Sequence, residues 1–127
     1  MADQPLRLLL VDDETGFLYV LGKRLAKRGF RVETAPSGAD AIRVLRGQDF
    51  DVAVLDLKLG DMDGIEVLDV FKKMVPDLPV IMLTGHGSEQ AACDGIGHGA
   101  FDYLLKPCDL DDLLAKIREA VGREENA

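Results

Sequence analysis

Val52-Ala53-Val54-Leu55-Asp56-Leu57-Lys58-Leu59-Gly60-Asp61-Met62-Asp63-Gly64 is the stretch from which the fold can be read. Its continuous apolar run, Val52–Leu55, is what a strand buried on both faces of a parallel sheet looks like, and it stops on a carboxylate, Asp56. Ligands of open α/β sheets bind beyond the carboxyl ends of the strands, so an acid at that tip stands where chemistry is done. The glycines and acids that follow, up to a new apolar periodicity at Ile65, read as a loop.

Upstream, Arg7–Asp13 repeats the pattern: four apolar residues and then Asp12 and Asp13 at a second strand tip. From Thr15 the residues Leu18, Leu21 and Leu25, with Phe17 beside them, fall at helical spacing, and Gly29 ends the run. Arg31–Thr34 reads as a short strand, Pro36–Gly38 as a turn and Ala39–Leu45 as a helix with Ala41, Ile42 and Leu45 inward, before the strand Asp51–Leu55.

Downstream, Ile65–Val75 repeats the helical spacing through Leu68, Phe71 and Val75, and Val80–Leu83 is another apolar strand ending on Thr84-Gly85-His86-Gly87. Ser88 is read as the N-cap of a helix reaching about His98, with Ala91, Ala92 and Ile96 as a thin apolar face. Gly95 and Gly97 each cost about 1 kcal/mol relative to Ala inside a helix, so this is expected to be the least stable helix. Ala100–Leu105 is the last strand, ending on Lys106-Pro107, and Asp109 caps a final helix striped by Leu110, Leu113, Leu114, Ile117 and Val121.

Five strands alternating with five helices predict an α/β fold: a parallel sheet covered on both faces, in the flavodoxin-like doubly wound order 2-1-3-4-5. The 127 residues fit a single domain with a core of about 6–122 and a polar tail at 123–127 expected to fray. No apolar run approaches the ~18 residues of a membrane span, and Met1–Pro5 has no secretory-signal pattern, so a cytoplasmic location is expected. A net charge of −8 disfavours nucleic-acid binding by this chain and favours a protein or cation partner. Cys93 and Cys108 lack metal-type spacing and read as free thiols, with redox sensing as the alternative.

In this fold four strand tips offer polar residues at one sheet edge: Asp12 and Asp13, Asp56, Thr84, and Lys106. Carboxylates gathered there repel by about 1–4 kcal/mol per pair at surface-like dielectric, so the cluster calls for a cation. Hard oxygen donors without His or Cys point to Mg²⁺. Asp56 is then either a metal ligand or a nucleophile beside the metal, able to accept a phosphoryl group while Mg²⁺ and Lys106 neutralise the transferring oxygens and the Thr84 hydroxyl meets one of them. The bland alternative is an ion-pair network of Asp12, Asp13 and Lys106.

Val11-Asp12-Asp13-Glu14, Leu55-Asp56-Leu57, Met62-Asp63-Gly64, Leu83-Thr84-Gly85-His86-Gly87 and Gly99-Ala100-Phe101-Asp102-Tyr103-Leu104-Leu105-Lys106-Pro107 together resemble the receiver domain of bacterial two-component response regulators. The resemblance covers essentially the whole chain. It implies that Asp56 accepts a phosphoryl group from a sensor histidine kinase or a histidine phosphotransfer protein. It further implies that Asp13, Asp56 and the backbone carbonyl of Lys58 ligate Mg²⁺, with Asp12 acting mainly through a metal-bound water. Thr84 and Lys106 would contact the phosphoryl group, the Lys106–Pro107 bond would be cis, and Tyr103 would be a switch aromatic that turns with Thr84. On its own, Tyr103 reads as a half-buried strand residue.

The implied device is a phosphorylation switch that remodels the surface of the fourth helix, fifth strand and fifth helix to control a downstream partner or a missing output domain. The chain is expected to be a stand-alone regulator or a receiver from a longer protein, and a monomer or a weak dimer through the fourth-helix face. Self-phosphorylation and slow autodephosphorylation are the only reactions expected of it. The rivals are a Mg²⁺-dependent phosphohydrolase with an aspartyl-phosphate intermediate and a phosphorylation-independent interaction module. Lys58 stands where the hydrolase's second acid belongs, two residues after Asp56. Gly60-Asp61, Gly85 and Cys108 depart from the commonest family pattern, and His86 and Lys58 occupy positions that, by the resemblance, tune phosphate lifetime. Gly60-Asp61 is expected to add an acid and flexibility to the loop. His86 reads as a solvent-facing loop residue, with weak general-base action as the alternative, and His98 is assigned no role.

Overall fold

A computed structural model describes residues 4–85 and 89–125, with side chains to 122. His86 and the Ser88 cap lie outside the described residues. The elements alternate as read: β1 (Arg7–Val11), α1 (Thr15–Lys27), β2 (Arg31–Ala35), α2 (Gly38–Gly47), β3 (Val52–Leu55), α3 (Gly64–Met74), β4 (Val80–Thr84), α4 (Glu89–Gly97), β5 (Asp102–Leu105) and α5 (Leu110–Glu125). The strands form one sheet in the order β2-β1-β3-β4-β5, every pairing parallel. This is the doubly wound, flavodoxin-like arrangement.

Alternation of side chains along the strands divides the core in two. Leu9, Val11, Ala53, Leu55, Val80 and Met82 face one side, where they meet Ala41 and Leu45 of α2, Val67, Leu68 and Phe71 of α3, and Ala92 of α4. Leu8, Leu10, Val52, Val54, Ile81 and Leu83 face the other, against Leu18, Leu21 and Leu25 of α1 and Leu113, Leu114 and Ile117 of α5. The central strands β1, β3 and β4 are therefore apolar at successive positions, whereas edge strand β2 carries exposed Arg31, Glu33 and Thr34. Polar side chains on that outer strand discourage pairing with a further strand.

Several boundaries differ from the periodicity reading. Gly47 lies inside α2, and α5 runs to Glu125, into the polar segment that was expected to fray. β5 starts only at Asp102, because Ala100 is drawn back to α4 by a hydrogen bond from its amide to the Gly95 carbonyl (3.0 Å). Ile96, read as inward, is 42% exposed; buried Gly95 faces Met82, Ile65 and Leu68 in its place. The α4 face is thinner than its sequence suggested, resting on Ala92 and Gly95.

Candidate functional site

Backbone hydrogen bonds beyond the strand ends carry the site residues. The Asp12 amide donates to the Ala35 carbonyl (3.2 Å), the Asp56 amide to that of Val11 (3.0 Å) and the Lys106 amide to that of Thr84 (2.7 Å). Three tips are thus extensions of the parallel ladder and aim at the same edge. The loop after β3 returns tightly enough that the Gly64 amide reaches the Leu57 carbonyl (2.8 Å). A Cβ on Gly64 would lie 2.5 Å from Leu57 Cα and 2.7 Å from the Asp56 carbonyl oxygen, so only glycine fits. Asp63 opens α3 by accepting from the Ile65 amide (2.9 Å), and Glu66 accepts from the Asp63 amide (3.3 Å), a reciprocal cap that explains Met62-Asp63-Gly64 locally.

Carboxylate oxygens of Asp12, Asp13 and Asp56 all lie within 4.8 Å of one another. Asp12 and Asp56 are buried and Asp13 is exposed, which leaves one side of the cluster open to water. Lys106 supplies the cation: its Nζ lies 2.6 Å from Asp12 Oδ2, 3.1 Å from Glu14 Oε1 and 3.8 Å from Asp56 Oδ2, and 4.3 Å from the Phe17 ring centroid. The other Asp12 oxygen accepts from the Glu14 amide (2.9 Å).

Burial pushes the Asp56 carboxyl above the ordinary range; the Lys106 charge opposes that shift and the Asp12 charge adds to it. Burial alone lowers Lys106, but the hydrogen bond to Asp12 and the charges of Asp12 and Asp56 outweigh it, so its pKa rises. Thr84 is fully buried, and its hydroxyl meets no hydrogen-bond partner of good geometry among the described residues, although it lies near enough to Asp56 to oppose the rise of that carboxyl's pKa. An orphaned hydroxyl costs about 1–3 kcal/mol, an expense relieved by an incoming acceptor oxygen. No described residue stands within 4 Å of the place a side chain would take at the adjoining Gly85. The donor set fits Mg²⁺: clustered oxygens, no soft ligand among the three, and a solvent-facing side for the waters that this ion retains.

Asp12, Asp13, Asp56, Thr84 and Lys106 therefore converge. Lys58 is exposed; its amide stands 3.4 Å from Asp56 Oδ1 and its backbone pairs with Asp63 in an isolated bridge. Tyr103 is half-buried beside β4, and the Cys93 thiol of α4 reaches its hydroxyl at 3.7 Å, pushing the phenol's pKa up. The Lys106–Pro107 bond is cis, as the resemblance implied. Cys93 and Cys108 are free.

Sequence reading missed four contributors. Glu14 and Phe17 surround Lys106, and neither is identifiable without knowing where the chain's far end returns. Asp61, taken to loosen the loop, ties it down: its carboxylate accepts from the Ala39 (3.0 Å) and Gly38 (2.9 Å) amides, bonds that hold its pKa low. His98, assigned no role, pairs through Nδ1 with Asp69 of α3 (2.8 Å) and anchors the end of α4.

Comparison with known proteins agrees with this geometry. The family model described as response regulator receiver domain matches residues 8–118. The chain is 42% identical over all 127 residues to the transcriptional regulatory protein GlrR of Escherichia coli K12, of which it spans 29%. It is 41% identical over 115 residues, 91% of its length, to the acid tolerance regulatory protein ActR of Sinorhizobium medicae, of which that match spans 59%. Among solved structures it superposes on a response regulator receiver domain protein from Clostridium thermocellum with a TM-score of 0.91 and 33% identity, covering 95% of this chain and 98% of that one. A CheY-like receiver domain protein from Methanospirillum hungatei JF-1 gives a TM-score of 0.91 and 34% identity, covering 96% and 98%. With its acidic cluster, buried threonine and lysine on the tips of a 2-1-3-4-5 sheet, the chain belongs to the receiver domain family of two-component response regulators.

Proposed function

We propose that Asp56 is the phosphoacceptor of this receiver domain and that a sensor histidine kinase or a histidine phosphotransfer protein supplies the phosphoryl group. The observation that carries this reading is the meeting of Asp12, Asp13, Asp56 and Lys106 beside the orphaned Thr84 hydroxyl. An Asp56 oxygen forms the new bond to phosphorus, the donor's bond to phosphorus breaks, and its electron pair leaves with the donor. Asp13, Asp56 and the Lys58 carbonyl would hold Mg²⁺, with Asp12 acting mainly through a water on the ion, and the ion would neutralise charge on the transferring oxygens. Lys106 and Thr84 then turn to the new oxygens.

Withdrawal of the Thr84 hydroxyl towards the phosphoryl group makes room for Tyr103, and the α4–β5–α5 face changes with it. Few buried residues hold α4, so its rearrangement costs little. The switched face controls an output partner, either another segment of a longer regulator or a separate protein. The regulators matched above extend well beyond the aligned segment. No helix among the described residues is long and apolar enough to cross a membrane, in keeping with action in the cytoplasm. Lys58 at the position of a hydrolase's second acid favours a phosphoacceptor over a turnover enzyme.

Incubation with Mg²⁺ and acetyl phosphate, followed by intact mass, tests the chemistry. A gain of one phosphoryl group is expected, absent without Mg²⁺ and absent in Asp56→Asn. A folded protein that gains no mass, or an Asp56→Asn variant that still does, overturns the reading. Amide spectra of the phosphorylated protein are expected to change across residues 84–106.

A further inference from the structure

Building on the phosphoacceptor reading of Asp56, we propose that Glu14 is a positioning residue that holds Lys106 away from Asp56 and thereby opposes phosphorylation of this chain. Lys106 Nζ is closer to Asp12 (2.6 Å) and Glu14 (3.1 Å) than to Asp56 (3.8 Å). The Asp12 side chain is 2% exposed and that of Glu14 is 68% exposed, so the first partner is fixed by burial and the second is free to let go. Beyond the Lys106 ammonium, the Glu14 carboxylate has no hydrogen-bond partner among the described residues.

Glu14 is held in position by its own backbone. Its carbonyl accepts from the Leu18 amide (2.9 Å), and its amide donates to Asp12 Oδ1 (2.9 Å), so the side chain leaves the start of α1 beside Phe17. Glu14 and the Phe17 ring together form a resting berth for the ammonium on the α1 side of the cluster. A phosphoryl group on Asp56 brings anionic oxygens that compete for the same ammonium. Lys106 can turn to them only by giving up Glu14, whose removal therefore favours the phosphorylated state.

The test is Glu14→Gln, titrated with acetyl phosphate at fixed Mg²⁺ and read by intact mass, in the parent protein and in a Lys106→Met background. An exposed ion pair lost on phosphorylation corresponds to about a two- to fivefold fall in the donor concentration giving half-maximal phosphorylation. That fall is expected in the parent and absent in the Lys106→Met background. The same fall in both backgrounds means Glu14 acts as a bulk charge, and no fall in the parent means it does not restrain Lys106; either result overturns the proposal. A second readout does not need the Lys106 variant to fold: the ε-methylene NMR signals of Lys106 are expected to shift in Glu14→Gln, and unmoved signals overturn the contact. A parent protein that gains no phosphoryl group defeats the Asp56 reading as well, whereas a labelled parent with an indistinguishable Glu14→Gln variant defeats only the role of Glu14.

Discussion

Lys106 Nζ lies 2.6 Å from Asp12 Oδ2 and 3.8 Å from Asp56 Oδ2, so the lysine pairs most closely with the acid on the β1 tip while still reaching the acid on the β3 tip. Lys106→Met leaves buried Asp12 with the Glu14 amide as its remaining hydrogen bond among the described residues. Urea unfolding without metal should show a loss of about 1–3 kcal/mol. Mg²⁺ should then stabilise the variant more than the parent, because the ion no longer meets a lysine charge at the same carboxylates. Equal stabilisation of the two proteins contradicts the assignment of lysine and metal to one cluster.

Binding of Mg²⁺ to the folded protein alone raises stability by mass action. At ten times the dissociation constant the gain is about 1.4 kcal/mol, a melting shift of roughly 5 °C for a domain of this size. Asp13 is exposed, so Asp13→Asn should fold normally and lose most of the shift. A variant that retains the full shift removes Asp13 from the ligand set.

Gly64 and Gly47 make a matched pair. Ala at 64 drives a methyl into the Leu57 and Asp56 backbone, and overpacking of this kind costs about 1–3 kcal/mol. Ala at 47 meets no described residue within 4 Å at the end of α2 and should stabilise by about 0.5–1 kcal/mol. Urea midpoints moving in opposite directions are expected. A neutral Gly64→Ala shows that the loop after β3 yields more readily than its backbone contacts imply.

Asp102 of β5 and Lys116 of α5 are 2.7 Å apart. Burial raises the Asp102 carboxyl, but the Lys116 hydrogen bond, the Tyr103 amide and the Lys116 charge outweigh it, and the pKa falls below the ordinary 3.8. Lys116 is raised above 10.5, first by its hydrogen bond to Asp102. A depressed carboxyl stabilises the fold above 3.8 and loses that contribution as pH falls through its folded value; a raised lysine loses its own only as pH climbs past 10.5. Lys116→Met should therefore cost about 0.2–1 kcal/mol at pH 7, a partly exposed pair being well screened. The gap in urea midpoints should narrow as the pH is taken below 3.8. A constant gap across that range indicates that Lys116 contributes packing rather than charge.

The sheet order was legible because central parallel strands leave apolar runs such as Val52–Leu55 and Val80–Leu83, while period-3.6 stripes mark the intervening helices. The thin apolar face of α4 was legible but not which residue faces inward: Gly95 is buried over Met82, while Ile96 is exposed. Asp61 carried a misleading signal: an acid beside glycine reads as a loose loop, whereas its oxygens close the N-terminus of α2, a partner some twenty residues earlier in the chain.

The sequence by itself determined the alternation of elements and which acids, threonine and lysine end the strands, because strand burial and helix amphipathicity are written in local periodicity. Only the tertiary structure decided what those residues touch: that Lys106 rests on Asp12, Glu14 and Phe17, and that the Thr84 hydroxyl is left without a hydrogen-bond partner among the described residues. Such contacts join residues as much as 94 positions apart, and they follow from strand register and side-chain reach, quantities that no local window of sequence contains.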